Sequence, residues 1–282
     1  MHNNLIIQGK NIETPRLKEL ARLAGADSIQ AVAPNAFRLT HARTENLIQI
    51  ETACEQAKLD YGFIPAARCI GDFKLLAMDM DSTLIAIECI DEVADMVGLK
   101  TEVAAITQTA MRGEIGFAES LVRRVKLLAG LDASALQRVY DERLRLSPGA
   151  ERLIGTLQSQ GIKTLLVSGG FTFFTERLQK RLNLDYSAAN TLEIVNGKLT
   201  GHISGDILDA QAKADQLNRI REKLGFGSDQ TVAIGDGAND LPMLAQAAVS
   251  IAYHAKPIVR AQANYALNFN DLDAVLPLLG AA

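Results

Sequence analysis

The sequence has no tryptophan, and aromatic side chains make up only 5% of its residues. Aromatic rings are the platforms on which proteins stack nucleobases and sugar rings, so a site of that kind is disfavoured. Positive charge is not in excess either, because 29 Lys and Arg residues face 33 Asp and Glu residues and the formal net charge is −4. The composition therefore predicts a small-molecule or protein partner and no nucleic acid.

Cysteine and long apolar stretches are also scarce. The three cysteines, Cys54, Cys69 and Cys89, form no CxxC pair and are odd in number, so no disulfide framework is predicted and a reducing compartment is expected. The first seven residues have neither a basic segment nor a long apolar one, so we expect no signal peptide. No stretch long enough to span a membrane is free of charge. These absences predict a cytoplasmic protein without a membrane partner.

The first part of the chain has the pattern of a small separate unit. With 48% hydrophobic and 22% charged residues, the 282-residue chain has a globular composition and suits one large domain or two smaller ones. Residues 1–70 alternate short apolar strands and helices in the order βαββαβ, which is typical of ferredoxin-like α+β domains. The predicted strands lie at residues 5–7, 28–32, 36–40 and 61–64, and the predicted helices lie at residues 14–23 and 44–58.

This N-terminal pattern resembles the small amino-acid-sensing regulatory (ACT) domains that are attached to some biosynthetic enzymes. The resemblance is one of pattern and has no diagnostic motif. A docking or dimerisation domain without a ligand is an equally good interpretation, and a homodimer would follow from it.

From Lys74 onward, continuous apolar strands alternate with helices, which favours a parallel sheet that is buried on both faces. The predicted strands are residues 74–78, 163–167, 231–234 and 247–252. Residues 71–282 are therefore predicted to form a doubly wound, Rossmann-like α/β domain. Ligands of such sheets bind beyond the carboxyl ends of the strands. The residues that follow each strand are the candidates for a functional site.

Two insertions interrupt this α/β pattern. Residues 85–145 are helical by periodicity, with one apolar stripe at Ile90, Val93, Ala94 and Val97 and another at Leu121, Val125 and Leu128. About eighty residues separate the first strand of the sheet from the second, which is too many for one crossover helix, so this helical insertion is predicted to form a cap over the strand ends. Residues 191–203 contain Asn196-Gly197 between apolar runs, which predicts a β-hairpin.

Two acids follow the first strand of the α/β domain. Asp79 and Asp81 come directly after an apolar run, and burying two carboxylates is costly unless a cation or a ligand compensates them. A turn or a helix cap would explain one Asp but not the second. The D-x-D metal site of sugar transferases is another interpretation of this spacing.

The second strand is followed by Ser168-Gly169-Gly170 and by a helix predicted from about Phe171. A glycine-rich turn that enters a helix N-terminus presents N–H groups to an anion, although a plain tight turn would have the same sequence. In the helix predicted from about Ala210, Lys213 continues an apolar stripe. Its side chain either extends along the surface to solvent or points at the anion.

The third strand leads into Gly235-Asp236-Gly237 and then Asn239 and Asp240. Asp240 is predicted to cap the helix at residues 241–247. The two glycines indicate that the backbone approaches another group closely. The strand ends thus combine carboxylates with an anion-binding loop and contain no histidine. Oxygen ligands favour Mg²⁺, and Mg²⁺ beside an anion site indicates phosphoryl chemistry.

The four segments resemble, in order, the motifs of the haloacid-dehalogenase-like (HAD) phosphatases: D-M-D-S-T-L, S-G-G, a single lysine and G-D-G-A-N-D-L-P-M-L. Within this family the cap resembles that of the phosphoserine phosphatases. Glu88 is the only charge in its apolar segment, and Arg124 lies on an apolar helix face. The resemblance implies that Glu88 binds the ammonium and Arg124 the carboxylate of phosphoserine. An ion pair inside the cap is the alternative for both residues.

The resemblance also implies roles for the residues at the strand ends. Asp79 would be the nucleophile and would form an aspartyl-phosphate, and Asp81 would be the general acid and base, with a pKa raised relative to that of Asp79. Ser168, Gly169 and Lys213 would hold the phosphate. Asn239 would contact the phosphate or the substrate. Mg²⁺ would be bound by Asp79, the Asp81 carbonyl and Asp236, and Asp240 would support the metal.

Two other functions fit the same sequence. A phosphatase or phosphotransferase of this fold that acts on another small phosphate, such as phosphohomoserine or a sugar phosphate, differs only in its substrate. An amino-acid-sensing regulatory protein with a vestigial catalytic half is the second. The complete set of Asp79, Asp81, Lys213 and Asp236 argues against a vestigial site.

Overall fold

The computed structural model describes residues 3–281, apart from the side chain of Met111. Met1 and His2, which belong to the segment tested for a signal peptide, and Ala282 lie outside the described residues. Eleven strands are found in residues 3–281. They are β1 (Asn3–Gln8), β2 (Ser28–Ala33), β3 (Ala36–Ala42), β4 (Asp60–Pro65), β5 (Leu75–Met78), β6 (Lys163–Phe171), β7 (Tyr186–Val195), β8 (Lys198–Ser204), β9 (Thr231–Gly235), β10 (Val249–Tyr253) and β11 (Tyr265–Leu267).

The described residues also form twelve α-helices, and none of these is long and apolar enough to cross a membrane. They are α1 (Thr14–Leu23), α2 (Leu47–Gln56), α3 (Cys89–Asp95), α4 (Lys100–Met111), α5 (Phe117–Leu127), α6 (Ser134–Arg138), α7 (Ala150–Ser159), α8 (Thr172–Leu182), α9 (Ala210–Leu224), α10 (Leu241–Leu244), α11 (Pro257–Arg260) and α12 (Val275–Leu278).

The first four strands form an antiparallel sheet in the order β2-β3-β1-β4. Alternate residues of β1 point to opposite faces of this sheet. Leu5 and Ile7 pack with α1 and α2, whereas Ile6 joins the core on the other side. The βαββαβ order of the ferredoxin-like prediction is therefore confirmed, with two helices on one face. Helix α1 has a proline in its first turn, as its sequence predicts.

The other seven strands form a second sheet in the order β11-β10-β9-β5-β6-β7-β8, in which only β8 runs antiparallel to its neighbour. Strand β5 lies in the middle and is fully buried. Leu76 and Met78 pack into the core on one face, and Leu75 and Ala77 pack into the core on the other. Burial on both faces explains why this strand is a continuous apolar run and confirms the doubly wound α/β prediction.

Three details of this sheet differ from the prediction. The strand expected at residues 247–252 is found at Val249–Tyr253. The strand β11 and the first half of β7, which pairs with β6, were missed. Strand β7 begins with polar and small residues, and β11 has only three residues, so neither has an apolar run of strand length. The Ser168-Gly169-Gly170 segment is not a turn, because β6 continues through it to Phe171.

Helices α3 to α6 lie between β5 and β6 in sequence, which confirms the helical insertion. Leu121, Val125 and Leu128 are buried as expected, but Val97 is 38% exposed because α3 ends at Asp95. The hairpin of β7 and β8 turns at Asn196-Gly197, and both residues have positive φ angles, as this type of turn requires. The hairpin also contacts the cap, since Gly130 N donates to Leu199 O at 2.8 Å.

The two sheets meet along β4 and β11. Asp60 of β4 is 2% exposed, and its carboxylate accepts hydrogen bonds from the backbone N–H groups of Asn268, Phe269 and Asn270 and from the Asn270 amide, at 2.7 to 3.1 Å. Tyr265 donates from its hydroxyl to Phe63 O at 2.9 Å. These bonds attach the N-terminal sheet to the C-terminal part of the chain. The domain boundaries 1–70 and 71–282 stay a prediction.

Candidate active site

The carboxyl ends of β5, β6 and β9 meet at one edge of the parallel sheet, and a cavity of about 440 Å³ lies between this edge and the cap. The cavity is lined by residues of the strand ends and of the cap helices. The site residues predicted from the sequence that line it are Asp79, Asp81, Glu88, Arg124, Ser168, Gly169, Asp236 and Asn239. The structure therefore brings together residues that are up to 160 positions apart in the chain.

Lys213 lies directly behind this cavity. It belongs to the first turn of α9, which begins after Asp209, whose side chain accepts a hydrogen bond from Ala212 N at 2.9 Å. Lys213 is 1% exposed, so its side chain does not extend to solvent. Its ammonium group donates to Asp79 Oδ1 at 2.6 Å and to Asp240 Oδ1 at 2.7 Å. The lysine thus joins the ends of β5 and β9.

The carboxylates around Lys213 carry more negative charge than its single ammonium group can balance. Oxygen atoms of Asp79, Asp236 and Asp240 all lie within 4.8 Å of one another. Burial raises the pKa of Asp79 well above its ordinary value, and the charge of Asp240 adds to this while Lys213 opposes it. Burial together with Asp240 also raises the pKa of Asp236 to about 7. The three carboxylates form an oxygen-only donor set that fits a hard divalent cation, and the single ammonium group balances only part of their charge.

Asp81 points away from this cluster. Its Oδ1 accepts a hydrogen bond from Cys89 N at 2.8 Å, and its Oδ2 accepts one from Ser168 Oγ at 3.4 Å. Burial and the nearby charge of Glu88 raise the pKa of Asp81 to about 7, against the effect of the Cys89 hydrogen bond. The pKa of Asp79 is raised as well, so the protein atoms alone do not separate the two acids in the expected way. A cation bound to Asp79 would lower the pKa of that residue.

The Ser168 segment is an extended end of β6. Its pairing with β7 is irregular between Val167 and Phe171, and α8 begins only at Thr172. Gly170 N donates to the buried Ser168 Oγ at 2.8 Å. A Cβ atom at Gly170 would lie 2.7 Å from Asp81 Oδ2, so only glycine fits this close approach. The segment thus places a hydroxyl group and main chain beside Asp81 without forming the predicted turn.

Asp240 occupies the N-cap position of α10, as predicted, but the helix ends at Leu244 instead of residue 247 and the expected side-chain cap is not formed. Its side chain makes no hydrogen bond to α10. Its Oδ2 accepts hydrogen bonds from Asp236 N at 3.2 Å and Gly237 N at 3.0 Å. A Cβ atom at Gly235 would lie 2.5 Å from the Asp240 Cβ, so the expected close approach at this glycine is to the Asp240 side chain. The loop is therefore built around Asp240.

The cap contributes Glu88 and Arg124. Glu88 accepts a hydrogen bond from Ser82 Oγ at 2.7 Å, and Arg124 Nε donates to Ser120 O at 3.4 Å. Burial raises the pKa of Glu88, whereas the hydrogen bond from Ser82 and the charge of Arg124 oppose the rise. In the part of the chain that the structure describes, neither residue forms an ion pair within 4.0 Å. The alternative prediction, an ion pair inside the cap for each of these two residues, is therefore wrong.

Four residues of the site were missed. Thr83 Oγ1 donates to Asp236 Oδ1 at 3.3 Å, and Asn190 Nδ2 donates to Gly169 O at 2.9 Å. Phe117 of the cap packs on Gly169, and Lys256 lines the cavity after β10. Lys256 could have been found, because it closely follows a predicted strand. Thr83 lies within the D-M-D-S-T-L segment, which could also have pointed to it. Phe117 and Asn190 have no sequence signal that separates them from ordinary cap or strand residues.

The fold and the site together define an α/β enzyme with an acidic cluster and a capped cavity at its strand ends. The family model of the haloacid dehalogenase-like hydrolases matches residues 76–245. The chain belongs to this family. A model for a domain of unknown function matches residues 5–47.

The chain is similar in sequence and in structure to several named hydrolases. It is 53% identical to a phosphoserine phosphatase of Polaromonas sp. over 215 residues, which are 74% of this chain and 91% of that protein. Among solved structures, a HAD family hydrolase from Salmonella enterica is 33% identical with a TM-score of 0.89 and 99% of both chains covered. A probable phosphoserine phosphatase from Vibrio cholerae is 38% identical with a TM-score of 0.86, over 99% of this chain and 87% of that one. The likeness therefore includes the N-terminal sheet.

Proposed function

We propose that the protein is a Mg²⁺-dependent phosphomonoester hydrolase that converts O-phospho-L-serine to serine and phosphate. One observation carries the proposal: a single cavity has the carboxylate cluster on its core wall and the unpaired Glu88 and Arg124 on its cap wall. The names of the relatives in Polaromonas sp. and Vibrio cholerae support the choice of substrate.

Asp79 is suited to attack phosphorus. Lys213 engages Oδ1 of its carboxylate, while no hydrogen bond engages Oδ2 within residues 3–281. Attack by Oδ2 displaces the serine oxygen and leaves an aspartyl-phosphate, which divides the hydrolysis into two steps. The positive charge of the lysine favours the charged carboxylate, because it opposes the rise in the pKa of Asp79 that burial causes.

Asp81 is suited to transfer the protons. A pKa of about 7 allows it to hold a proton and to release one near neutral pH. In the first step it protonates the departing serine oxygen. In the second it takes a proton from the water that attacks the aspartyl-phosphate. Cys89 N fixes one oxygen of Asp81, so the other remains directed at the reacting groups beside Ser168.

The phosphate oxygens are assigned to the Ser168 hydroxyl, the Gly169 N–H and Lys213, with Asn239 at the edge of the cavity. Donors that are already held in place stabilise the charge that develops on the phosphoryl group. Ser168 is fixed by Gly170 N, and the carbonyl of Gly169 is fixed by Asn190, so this segment has little freedom to reorganise.

The metal is assigned to Asp79, Asp236 and the backbone carbonyl of Asp81. Asp240, which is bound to Lys213 and to the loop N–H groups, holds this set from behind. The carboxylate cluster fits a divalent cation, and Mg²⁺ is the member of that class that prefers oxygen ligands together with phosphate. When bound, the cation supplies charge neutralisation for the carboxylates and the phosphate.

The test of this function is phosphate release from O-phospho-L-serine with and without Mg²⁺. We expect turnover that requires the cation and is abolished by a chelator. Phosphohomoserine and sugar phosphates, assayed at the same concentrations, separate the proposed substrate from the nearest alternatives. Faster turnover of any of these than of phosphoserine would contradict the assignment.

Arg124 tests how the substrate is recognised. A planar guanidinium binds a carboxylate with two hydrogen bonds, and p-nitrophenyl phosphate has no carboxylate. We expect Arg124→Ala to lower kcat/KM for phosphoserine roughly 10- to 100-fold and to leave p-nitrophenyl phosphate almost unchanged. Equal losses on both substrates would show that Arg124 serves the phosphate or the fold. Arg123→Ala, on the exposed side of the same helix, is the matched control.

The proposal also includes a cytoplasmic location, for which the three free cysteines Cys54, Cys69 and Cys89 give support. Dimerisation through the N-terminal sheet, whose edge strand β2 is mostly exposed, stays a prediction. So does the sensing of an amino acid by this sheet. Calorimetry with serine, on the full chain with its cavity blocked by vanadate, tests the sensing hypothesis.

A further inference from the structure

Lys256 lines the core side of the cavity from the loop after β10, a strand end to which the sequence analysis assigned no site residue. It follows β10 by three positions and is the last residue before α11. Strand β10 pairs with β9, which leads to Asp236, so both loops leave the same edge of the sheet. The side chain of Lys256 lines the cavity together with Asp236 and Glu88.

The main chain at Lys256 is firmly held. Its N–H donates to Asp236 O at 3.1 Å, which joins the two loops. Two residues earlier, His254 has a φ of 44°, a conformation that is costly for a residue with a side chain. His254 N donates to Leu267 O at 2.8 Å, and its Nε2 lies 3.1 Å from Asn270 O. These contacts maintain the strained bend that directs the loop to the cavity.

The ammonium group of Lys256 is, by contrast, uncommitted. No hydrogen bond or ion pair within 4.0 Å engages it in the described part of the chain. Its charge acts over a longer range on both acids that share the cavity. Burial raises the pKa of Asp236 and of Glu88, and the positive charge of Lys256 opposes the rise in each. A fixed main chain with a free, charged end is an arrangement suited to contact a ligand.

The distribution of charge around the cavity indicates the class of ligand that the ammonium group of Lys256 would contact. Lys213 already donates to two carboxylates. The remaining cations that line the cavity are Arg124, on the cap, and Lys256, on the wall that also holds Asp79 and Asp236. A dianionic phosphoryl group must approach this acidic wall, where repulsion opposes it. A flexible lysine is well suited to meet it there as a mobile point charge.

We propose that Lys256 is a further substrate-binding residue, whose ammonium group contacts the phosphoryl oxygens of a phosphomonoester in the cavity. The assignment rests on the proposed hydrolysis of phosphomonoesters at this site. It differs from the role of Arg124, because Lys256 rises from the loop bonded to Asp236 and Arg124 stands on the opposite wall. The lysine would thus add a positive charge to the phosphate site that Lys213 cannot supply alone.

The test compares Lys256→Met, which keeps the length of the side chain, with Lys256→Arg, which keeps the charge. Arg260→Met is the control, because Arg260 is on α11 but lines a groove between β4 and β11 instead of the cavity. For each protein, kcat and KM are measured on phosphoserine and on p-nitrophenyl phosphate, together with the inhibition constant of inorganic phosphate and the melting temperature.

We expect Lys256→Met to raise KM for both substrates and the inhibition constant of phosphate, each roughly 10- to 100-fold. Lys256→Arg should restore most of this loss, and Arg260→Met should change none of the constants. The melting temperature should stay within a few degrees of the parent value.

Three results would overturn the proposal: unchanged constants in Lys256→Met, a loss confined to phosphoserine, or a lower melting temperature with unchanged phosphate inhibition. The second would assign Lys256 to the carboxylate, and the third would assign it to the fold. If phosphoserine proves not to be a substrate at all, the proposed function fails, but p-nitrophenyl phosphate and inorganic phosphate still decide the role of Lys256.

Discussion

Asp60 and the strand-end cluster of Asp79, Asp236 and Asp240 differ in how the charge of their carboxylates is compensated. Asp60, between the two sheets, accepts four hydrogen bonds from N–H donors of residues 268–270. At the strand ends, Asp79, Asp236 and Asp240 lie close together with Lys213 as the one buried cation of that cluster within residues 3–281. A buried carboxylate needs donors or a counter-charge. The protein supplies the donors that Asp60 needs. The strand-end cluster has more negative than positive charge, which suits it to bind a cation.

Asp60 and Asp79 differ in their surroundings and not in their burial. Asp60 and Asp79 are 2% and 5% exposed, so burial does not separate them. Their surroundings do, because donors converge on Asp60 and other acids converge on Asp79. Clusters of acids that share too little positive charge are frequent at functional sites.

The largest expected effect is that of Asp79→Asn on activity. Without the nucleophile, turnover should fall on the order of 10⁴-fold or more. The variant should trap no acid-stable, alkali-labile phosphoenzyme from labelled phosphoserine, whereas the parent protein should. Its stability should be unchanged or higher, because one of several repelling charges is removed. Asp60→Asn is the matched control and should keep its activity; retained turnover in Asp79→Asn would sink the nucleophile assignment.

Asp60→Ala should have the opposite profile. It leaves three backbone N–H groups and one amide without an acceptor, so the free energy of unfolding should fall by about 3 to 5 kcal/mol. The activity of the molecules that remain folded should change little. Urea denaturation followed by circular dichroism measures the stability, and Asp185→Ala, at a half-exposed acid of the parallel sheet, is a comparison that should lose less. A loss of less than about 1 kcal/mol in the free energy of unfolding would remove the contrast between Asp60 and the strand-end cluster.

Mg²⁺ should stabilise the folded protein through the strand-end cluster and not through Asp60. At a concentration 100 times its dissociation constant, a ligand that binds only the folded state adds about 2.7 kcal/mol to the free energy of unfolding. We expect a rise in melting temperature with Mg²⁺ that a chelator reverses and that Asp236→Asn removes. Asp60→Asn should keep the rise. An equal rise in Asp236→Asn would place the cation elsewhere.

The smallest expected effect is at the edge of the Asp60 contact. Tyr265 donates to Phe63 O and accepts from Arg68 at 2.7 Å, so Tyr265→Phe should lower the free energy of unfolding by about 1 kcal/mol. Tyr140→Phe, in the cap, is the control, because no hydrogen bond of its hydroxyl is found in the described residues. Equal effects in the two variants, measured by urea denaturation, would mean that the hydroxyl of Tyr265 adds nothing specific to the contact.

Much of the fold could be predicted because its signals are local. The apolar run of β5, the hairpin at Asn196-Gly197 and the order βαββαβ depend on residues that are neighbours in sequence. The first half of β7 and the strand β11 were missed because neither contains an apolar run of strand length. The extended Ser168 segment was predicted as a turn because glycine allows both conformations and the side chain of Asn190, 21 residues away, selects one.

The sequence by itself determined which residue types stand at the ends of the parallel strands, and therefore that acids, an anion-binding segment and a lysine meet at one edge. Only the tertiary structure decided how their hydrogen bonds are shared. Lys213 reaches Asp79 across 134 residues, and Asp60 finds its donors more than 200 residues away. The Asp240 side chain accepts from the preceding loop and not from the helix that it precedes. The physical reason is that periodicity reports burial and strand ends, whereas hydrogen-bond partners are fixed by distances that exist only after the sheets have packed.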